Sequence, residues 1–514
     1  MKNKIDREQE VYKRLYAALQ KEGKPFFAGN LLVRAAQLYP ERTALIFQDH
    51  TVTYQELFKQ ARYWQLFLAQ KGVKPGDRVL ILCQNSPLFY IGYFAAWQLG
   101  AVVTPLNIFL KEAELRHIIA DAQPTAAFID AEYAALFQSD PNETMHIITN
   151  DMVNGFTYSE STYEYTYTEY DYDALTVLVY TSGTTGTPKG VMLSSRNIIT
   201  NICQVIARLQ TTEHERLFAA LPLFHVFAQV TSVWISIYLG ATVILVPKIE
   251  RHAILQGLQK KPTMFIGIPA LYGLLCMLRT APLDSVKLFV SGGDALPDKI
   301  RMLFALLYNR KIVNGYGLSE ASPVIAVDYD DALSYTNTVG KPLVEVECAI
   351  KKDDGTQAPL NESGRLFVQG NNVMLGYYNA PDATAAVLQN GWLDTGDCAY
   401  ICKSGKLVIT GREKDLIINK GFNIYPQEIE NIILTHPQVL RAAVVGQKDE
   451  QVGEVPVAFV QLRNDMPTIE QELRALCMHH LATYKIPRAF ICSSDELPLT
   501  ATGKVDKKVL RTKL

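Results

Sequence analysis

The chain has 514 residues, of which 48% are hydrophobic and 20% are charged, and its formal net charge is −2. This length predicts two or more domains, and the composition excludes a disordered protein. The small net charge gives no electrostatic reason for binding nucleic acid or an anionic membrane. The eight cysteines are scattered, and only Cys398 and Cys402 lie close together. We therefore expect reduced thiols in a cytoplasmic protein rather than a zinc site.

The amino-terminal segment, residues 1–20, is charged and lacks the apolar core of a signal peptide. The most apolar stretch, residues 225–247, contains polar residues and is divided by Gly240. This pattern predicts a buried helix, a turn and a strand rather than a helix that spans a membrane. We expect a soluble protein that associates with membranes at most peripherally.

Several segments share one pattern, in which an apolar run is followed by a glycine or proline turn and then by a helical pattern. The apolar runs are residues 78–86, 126–130, 263–269 and 287–293. Strands that alternate with amphipathic helices predict parallel sheets covered on both faces. The sequence therefore predicts an α/β fold, with doubly wound sheets in a large amino-terminal domain.

The pattern changes after about Tyr335 to short strands separated by turn residues, in 344–357, 364–370 and 405–411. These strands predict a smaller β-barrel-like unit attached to the large domain. Beyond Gly411, helical and strand patterns are mixed in about a hundred residues, which predicts a small α+β domain. We place the domain boundary between residues 1–411 and 412–514.

A tyrosine-rich segment, residues 158–172, alternates tyrosines with acidic residues. Its tyrosines include Tyr163, Tyr165, Tyr167, Tyr170 and Tyr172. Alternation would place three of them on one face of an edge strand, but a solvated loop is the interpretation that we favour. No chemistry is assigned to this segment.

The segment YTSGTTGTPKG, residues 180–190, combines glycines, hydroxyl side chains and one lysine. These groups suit a polyanion, because exposed N–H groups, hydroxyls and an ammonium all donate to phosphate oxygens. The spacing differs from the common GxxxxGK[ST] loop, since Pro188 and Gly190 occupy the wrong positions. An ordinary surface loop is the alternative. The candidate residues are Thr181, Ser182, Gly183, Thr184, Thr185, Gly186 and Lys189.

Three further segments carry side chains suited to a nucleotide. In NGYGLSEASP, residues 314–323, Tyr316 offers a face for a purine, although a capped helix start is the alternative. In WLDTGDCAY, residues 392–400, we expect a turn in which Asp397 accepts hydrogen bonds from ribose hydroxyls or from its own backbone. GREKD, residues 411–415, is either a functional joint or an exposed charged turn.

With these motifs in this order, the sequence resembles the adenylate-forming superfamily of acyl-CoA synthetases, peptide-synthetase adenylation domains and luciferases, over nearly its whole length. The resemblance implies that Tyr316 packs on adenine where Gly317 permits close approach. It also implies that Ser319, in place of the commoner threonine, contacts phosphate and that Glu320 binds Mg²⁺.

The resemblance assigns further residues to the ribose and to the acid. Asp397 and Arg412 would bind the ribose hydroxyls. Gly293 and Asp294, in SGGDALP, would border the adenine and the acyl chain. His225, in PLFHVFAQ, would flank the carboxylate pocket, although a satisfied core histidine is the alternative.

The resemblance also implies a mobile carboxy-terminal domain. Lys414 would be the hinge, Gly421 would border the channel for pantetheine, and Lys504 would bridge the substrate carboxylate and the α-phosphate. The family usually has an arginine earlier in this last motif, where the chain has Leu499. Lys189 would neutralise the departing pyrophosphate, beneath a loop that closes over the triphosphate.

The implied reaction has two halves and uses ATP, Mg²⁺ and coenzyme A. The acid attacks the α-phosphorus to give acyl-AMP, and a thiol then displaces AMP. Positioning and electrostatic stabilisation by Glu320, Lys504 and the 181–190 loop would supply the catalysis. Lys189 and His225 complete the set of candidate catalytic residues.

The acid is expected to lack an amino group, because no acidic residue lies between Pro222 and Ser236 to hold one. The PLFHVFAQ segment is most similar to those of medium- and long-chain fatty acid–CoA ligases, and an aryl acid is the alternative. Transfer to a carrier protein, arrest at acyl-AMP and a non-catalytic nucleotide-binding scaffold stay open. A homodimer is compatible with the sequence but nothing in it argues for one.

Overall fold

The computed structural model describes residues 2–20, 25–137, 145–155, 164–182, 188–278, 281–329, 338–419, 422–449, 451–500 and 505–514. The first part of the chain forms α1 (Lys2–Ala17), α2 (Leu31–Leu38), β1 (Thr43–Phe47), β2 (His50–Thr53), α3 (Tyr54–Gln70), β3 (Arg78–Leu82), α4 (Pro87–Gln98), β4 (Val102–Pro105), α5 (Glu112–Ala122), β5 (Ala126–Ile129), β6 (His146–Thr149) and α6 (Asn150–Asn154).

The middle of the chain continues the alternation of strands and helices. Its elements are β7 (Leu175–Ser182), β8 (Pro188–Ser194), α7 (Ser195–Leu209), β9 (Arg216–Ala219), α8 (Val226–Ala228), a π-helix (Gln229–Ile235), α9 (Ser236–Leu239), β10 (Thr242–Leu245), α10 (Arg251–Gln259), β11 (Met264–Gly267), α11 (Pro269–Leu278), β12 (Leu288–Ser291), α12 (Asp298–Tyr308), β13 (Ile312–Gly317), β14 (Val324–Val327) and β15 (Lys341–Pro342).

The last part of the chain is richer in strands. It comprises β16 (Glu347–Lys351), β17 (Gly364–Gln369), β18 (Gly376–Tyr377), α13 (Pro381–Val387), β19 (Leu388–Gln389), β20 (Trp392–Ile401), β21 (Leu407–Arg412), β22 (Ile417–Asn419), β23 (Phe422–Ile424), α14 (Pro426–Ile433), β24 (Val439–Asp449), β25 (Gly453–Leu462), α15 (Ile469–His480), β26 (Ala489–Ser493) and α16 (Lys507–Arg511).

Two large sheets, parallel in their centres, form the amino-terminal domain and confirm the predicted fold class. One has the order β15-β14-β13-β12-β11-β9-β10-β1-β2, and the other has the order β18-β8-β7-β4-β3-β5-β6. Strands β9 to β13 pair in parallel, and so do β3, β4, β5 and β6 with their neighbours in the second sheet. Their side chains share one large buried core that includes Trp97 and Trp234.

The two smaller sheets are mainly antiparallel. After residue 335, the β-rich unit is a sheet of order β16-β17-β20-β19 with β21 beside β20. The carboxy-terminal domain has the order β23-β22-β25-β24, with β26 parallel to β25. This domain has its own buried core, which includes Ile429, Val444 and Leu473, and a separate core is what defines a domain physically. The exact boundary at residue 411 stays a prediction.

The apolar stretch at 225–247 folds as its pattern predicts. A buried helical run ends at Gly240, whose φ of +75° marks the turn, and β10 follows. Glycine adopts this left-handed conformation without the strain that a Cβ would cause. In the parts of the chain that the structure describes, no helix combines the length and apolarity needed to cross a bilayer.

The tyrosine-rich segment is not the solvated loop that we expected. Its described residues form no strand, yet the Tyr165 ring stacks on Phe58 with centroids 4.8 Å apart. The hydroxyls of Tyr172 and Tyr16 are 2.6 Å apart, which ties the segment to α1. These aromatic partners are distant in sequence, so local patterning could not reveal them. Tyr163 lies outside the described residues.

Candidate active site

The carboxyl edge of the nine-stranded sheet gathers two of the sequence motifs. Strands β12 and β13 are parallel neighbours, with Ser291 opposite Asn314. The loop that contains Gly293 and Asp294 therefore starts beside the NGYGLSEASP segment. Loops at the carboxyl ends of parallel strands form the usual ligand-binding crevice of such sheets. Gly293 has a φ of +79°, and Asp294 uses one carboxylate oxygen to accept the backbone N–H of Ala295 at 2.9 Å.

Three of the predicted residues meet in one cluster at this edge. The Tyr316 hydroxyl donates to Asp397 Oδ2 at 2.6 Å, and Arg412 Nε lies 3.1 Å from Asp397 Oδ1. Asp397 and Arg412 face each other across β20 and β21. Asp397 is only 5% exposed, so its carboxylate is fixed by a tyrosine from one sheet and an arginine from another.

The electrostatics of this cluster follow from burial and pairing. Burial raises the pKa of Tyr316, and the charge of Asp397 raises it further. Asp397 also raises the pKa of Arg412, with smaller contributions from Tyr316 and Glu320. Tyr316 therefore stays a neutral donor and Arg412 stays a cation, and both face the side-chain oxygens of Asp397. A carboxylate can accept hydrogen bonds from vicinal hydroxyls.

Asp397 lies in a strand and not in the turn that the sequence predicted. Strand β20 runs through Trp392–Ile401 and includes Gly396, which has a left-handed φ of +67°. The pairing of β20 with β21 shifts register after Cys398. The pairing of β20 with β17 also shifts register, between Arg365 and Phe367, so Gly396 lies in a bulge of β20 while Asp397 pairs with Arg412 of β21.

Glu320 and Lys189 are brought together by a residue that sequence reasoning missed. Glu320 lies in a short 3₁₀ turn, Ser319–Ala321, and its Oε1 accepts the Tyr377 hydroxyl at 2.9 Å. Lys189 Nζ lies 5.4 Å from the centre of the Tyr377 ring. Burial and Glu320 raise the pKa of Tyr377, so its hydroxyl remains a donor. A cation over an aromatic face is attracted by the ring quadrupole.

The position of Tyr377 depends on pairing between distant segments. Tyr377 pairs with Val191 across β18 and β8. Asn197, at the start of α7, donates to the carbonyl oxygens of Asn371 and Val373 at 2.9 and 2.7 Å, which fixes the approach to β18. The only local signal was a Gly-Tyr-Tyr sequence after an apolar run, and that does not identify a site.

The 181–190 segment forms a hairpin whose base is well anchored. Thr181 pairs with Lys189 across β7 and β8. At the base, the Tyr180 hydroxyl donates to Asp121 Oδ2 at 2.6 Å, and a ring nitrogen of His117 lies 3.3 Å from the Pro188 carbonyl oxygen. Both partners come from α5. The hairpin tip, with Gly183, Thr184, Thr185 and Gly186, lies outside the described residues.

His225 lies where the chain enters α8. It is half-buried, with its ring 4.4 Å from that of Phe224. Phe227, two residues later, closes against the loop after β12, because a Cβ on Gly292 would lie 3.0 Å from the Phe227 ring. The structure thus places Phe227, two residues after His225, against the loop that contains Gly292 and Gly293. The contact of His225 with an acid stays a prediction.

Ion pairs are made by the residues on both sides of the predicted hinge residue, Lys414. Glu413–Asp415 forms one 3₁₀ turn after β21. Arg365 of β17 lies 2.8 Å from Glu413, and Arg511 of α16 lies 2.7 Å from Asp415. Burial and the nearby Arg412 lower the pKa of Lys414. Gly421 and Lys504 lie outside the described residues, so the structure gives no account of either.

The residues present fit a magnesium–nucleotide complex. Within the described residues, no group of three or more His, Cys, Asp or Glu side chains could hold a metal by itself. Mg²⁺ characteristically takes one or two protein carboxylates and completes its shell with phosphate oxygens and water. Glu320 can supply that carboxylate, Lys189 can supply a cation for the phosphates, and Asp397 can accept hydrogen bonds from the ribose.

Gly317 has a structural role as well, because a Cβ there would lie 2.0 Å from the Pro323 carbonyl oxygen.

Comparison with known proteins agrees with this geometry. Residues 32–378 match the family model described as AMP-binding enzyme, and residues 428–504 match the AMP-binding enzyme C-terminal domain. A long-chain-fatty-acid–CoA ligase of Bacillus subtilis is 33% identical, with 94% of this chain and 93% of the relative covered. A 2-succinylbenzoate–CoA ligase of Bacillus pumilus is also 33% identical, with 94% and 98% covered.

Solved structures give the same result. o-Succinylbenzoate CoA synthetase (MenE) of Bacillus subtilis, in complex with an acyl-adenylate, has a TM-score of 0.84 and 32% identity, with 94% and 97% of the two chains covered. ATP-bound MatB of Rhodopseudomonas palustris has a TM-score of 0.86 and 27% identity, with 94% and 98% covered. The resemblance drawn from the motifs is confirmed: the chain belongs to the AMP-binding enzyme family of the adenylate-forming superfamily.

Proposed function

We propose that the chain is an ATP-dependent acid–CoA ligase. It activates a carboxylic acid as acyl-AMP with release of pyrophosphate, and then forms acyl-CoA with release of AMP. The observation that carries this proposal is a pair of contacts at the end of β13. Tyr316 contacts Asp397, which pairs with Arg412, and Glu320 contacts Tyr377, whose ring faces Lys189. The relatives named as CoA ligases, which match over most of the chain, support it.

The first half-reaction brings two anions together, and the chain's own groups offset their repulsion. Asp397, held by Tyr316 and Arg412, orients the ribose. Lys189 supplies positive charge where the pyrophosphate departs. Glu320, oriented by Tyr377, holds Mg²⁺, which when bound adds charge neutralisation at the phosphates. Groups that are held before the substrate arrives need no reorganisation during the reaction.

The second half-reaction requires that the thiol approach the acyl carbon. We propose that the carboxy-terminal domain, residues 412–514, turns about Lys414, so that Lys504 serves the first half and Gly421 the second. The separate core of this domain and the short turn at Glu413–Asp415 support such a rotation. Ser319, Thr181 and Ser182 are proposed phosphate contacts, together with the tip of the hairpin.

The acid is proposed to be a medium- or long-chain fatty acid. Relatives named as long-chain-fatty-acid–CoA ligases support it, including those of Bacillus subtilis and Escherichia coli at 33% and 30% identity. An aryl acid is the second candidate, because a 2-succinylbenzoate–CoA ligase and a feruloyl-CoA synthase are each 33% identical to the chain. His225 would flank the carboxylate in either case.

The proposal is tested by pyrophosphate release from ATP and Mg²⁺ across a panel of acids. The panel includes straight-chain fatty acids of graded length and aryl acids, each with and without free CoA. We expect release that depends on the acid, and a thioester product when CoA is present. Adenylation that yields a thioester only with a carrier protein would favour the carrier-loading alternative. Absence of release with every acid would favour a non-catalytic nucleotide-binding scaffold.

Three further expectations are proposals that other measurements test. A homodimer is tested by light scattering of the purified protein in solution. A cytoplasmic location follows from the scattered thiols and is tested by fractionation of the source cells, as is peripheral membrane association.

A further inference from the structure

The short loop before His225 is held from both sides by buried amide side chains. This loop, residues 221–225, connects β9 to α8 and is called the acid-side loop below. Asn85 approaches it from the seven-stranded sheet, and Gln229 approaches it from the π-helix. They are only 4% and 0% exposed. Neither residue belongs to the motifs that indicate nucleotide binding.

Asn85 joins the two large sheets through the acid-side loop. Its Nδ2 donates to the carbonyl oxygen of Leu221 at 2.9 Å, and its Oδ1 accepts the N–H of Leu223 at 2.9 Å. The same amide nitrogen lies 3.2 Å from the carbonyl oxygens of Ala219 and Val246, at the ends of β9 and β10. One side chain from the end of β3 therefore fixes both the start and the middle of the loop.

Gln229 holds the other end of the loop. Its Nε2 donates to the carbonyl oxygen of Phe224 at 3.0 Å, and its Oε1 accepts the Tyr93 hydroxyl at 3.1 Å. The Tyr93 oxygen in turn accepts Trp234 Nε1–H at 2.8 Å. The hydrogen bonds thus run in one direction, from Trp234 through Tyr93 and Gln229 to the loop, and all three side chains are 0% exposed.

These hydrogen-bonded side chains are surrounded by the main apolar core, and burying their polar groups there has a cost in folding free energy. Burying amide and hydroxyl groups is unfavourable unless every donor and acceptor is satisfied, and apolar side chains would fill the space at lower cost. A satisfied network does, however, define one geometry closely. The segment after the loop is also π-helical, a form that is rare and frequent at functional sites.

We infer that Asn85 and Gln229 are positioning residues for the acid, because they fix the backbone that presents His225 and Phe227. The inference rests on the proposed function. Phe227 closes against Gly292 of the loop after β12, so a shift of the acid-side loop moves the wall between the acid and the nucleotide. The nucleotide cluster at Asp397 is built from other segments and is not held by this network.

The test uses two variants of the full-length protein. Gln229→Met removes both hydrogen bonds at nearly constant volume, and Tyr93→Phe, which removes one hydroxyl, is the milder variant should the first fail to fold. With the best acid from the panel, we expect the KM for the acid to rise about tenfold, as the loss of one buried hydrogen bond implies. We expect the KM for ATP to stay within about twofold, since the Asp397 cluster is separate.

Tyr54→Phe is the matched control. The Tyr54 hydroxyl is also fully buried and donates to the carbonyl oxygens of Ala241 and Ser236 at 2.6 and 3.2 Å, beyond the π-helix. We expect a similar fall in thermal midpoint but an unchanged KM for the acid.

The inference is overturned if all three variants raise the KM for the acid equally, or if the KM for ATP rises as much as that for the acid. An unchanged KM for the acid in both Gln229→Met and Tyr93→Phe also overturns it. These results differ from failure of the proposed function, in which the unaltered protein shows no acid-dependent activity at all.

Discussion

At the residue scale, Tyr377 organises the two charged groups assigned to the phosphates. Its hydroxyl donates to Glu320, and its ring faces the Lys189 ammonium. The hydrogen bond leaves the other Glu320 oxygen available to a metal. One tyrosine therefore contacts an anion from the 3₁₀ turn after β13 and a cation from β8.

Tyr377→Phe keeps the ring and removes only the hydrogen bond to Glu320. We expect the Mg²⁺ concentration for half-maximal activity to rise about fivefold, since a hydrogen bond to a charged group contributes about 1.5–3 kcal/mol and this site is partly solvated. The KM for ATP at saturating Mg²⁺ should change little. Tyr378→Phe, at the next position, is the control and should leave the Mg²⁺ requirement unchanged. An unaltered Mg²⁺ requirement in Tyr377→Phe would contradict this role.

Cys402 is the thiol that should react first with an alkylating agent. Burial is the largest single influence and raises the pKa of Cys402, but hydrogen bonds with Ser404 and with the backbone together outweigh it and lower this pKa overall. By contrast, burial raises the pKa of Cys276 and Cys477 to about 11 and that of Cys398 to about 12. The thiolate is the reactive form.

Iodoacetamide labelling followed by mass spectrometry checks this order as a function of pH. We expect Cys402 to be labelled at a lower pH than the other cysteines, because a lowered pKa gives more thiolate there. Equal labelling of Cys402 and Cys398 in the folded protein at neutral pH would contradict it.

At the element scale, the tyrosine-rich segment packs against α1 and α3 of the large domain. Tyr165 stacks on Phe58 of α3, and Tyr172 bonds to Tyr16 of α1. Burial and the Tyr16 hydroxyl raise the pKa of Tyr172, so the Tyr172 hydroxyl stays protonated across the physiological pH range.

Tyr165→Ala should lower the free energy of unfolding by about 2 kcal/mol, because it removes apolar contact and an aromatic pair from a half-buried site. Urea denaturation measures the change, and activity below the transition should be unaltered. Glu164→Ala, at an exposed neighbouring position, is the control and should stay within about 0.5 kcal/mol of the unaltered protein. If Tyr165→Ala lowers the free energy of unfolding no more than the control does, the Tyr165 ring does not stabilise the packing of this segment against α3.

A structural feature could be predicted from the sequence when the residues that determine it are adjacent in the chain. Strands β3, β5, β11 and β12 and the helices after them were predictable, because hydrophobic periodicity is a property of adjacent residues. The packing of Tyr165 was not, because Phe58 is far away along the chain. The strand around Asp397 was also hidden, because a bulge at Gly396 lets a turn-forming sequence lie within β20.

Prediction of the candidate site was limited in the same way, because it depended on motifs within short segments of the sequence. Tyr316, Glu320, Asp397 and Arg412 were identified because each lies in a motif that spacing and order make specific. Tyr377 lacks such a motif, and its role arises only from strand pairing between β18 and β8. Gln229 was visible in the sequence as a polar interruption of an apolar stretch, but its partners were not.

At the scale of the whole molecule, the proposed reaction divides between two domains joined at Glu413–Asp415. The ion pairs from Arg365 to Glu413 and from Arg511 to Asp415 connect this joint to the β-rich unit and to the carboxy-terminal domain, respectively. The pair from Arg365 to Glu413 is exposed, and such pairs contribute about 0–1 kcal/mol, so it leaves such a joint free to turn.

This arrangement predicts that one substitution impairs only the adenylation half-reaction and another impairs only thioester formation. Lys504→Ala should reduce ATP–pyrophosphate exchange about a hundredfold, as the loss of one transition-state contact does in other enzymes. It should spare thioester formation from supplied acyl-AMP. Gly421→Leu should do the reverse, because a side chain there would obstruct the thiol. Equal loss of both half-reactions in both variants would contradict rotation between two productive states.

A crystal structure of the protein grown with ATP, Mg²⁺ and no acid would show whether these residues bind the nucleotide. We expect the ribose hydroxyls within hydrogen-bonding distance of Asp397, and the phosphates beside Glu320 and Lys189. A nucleotide bound elsewhere, with the Asp397 carboxylate still held only by Tyr316 and Arg412, would contradict this expectation.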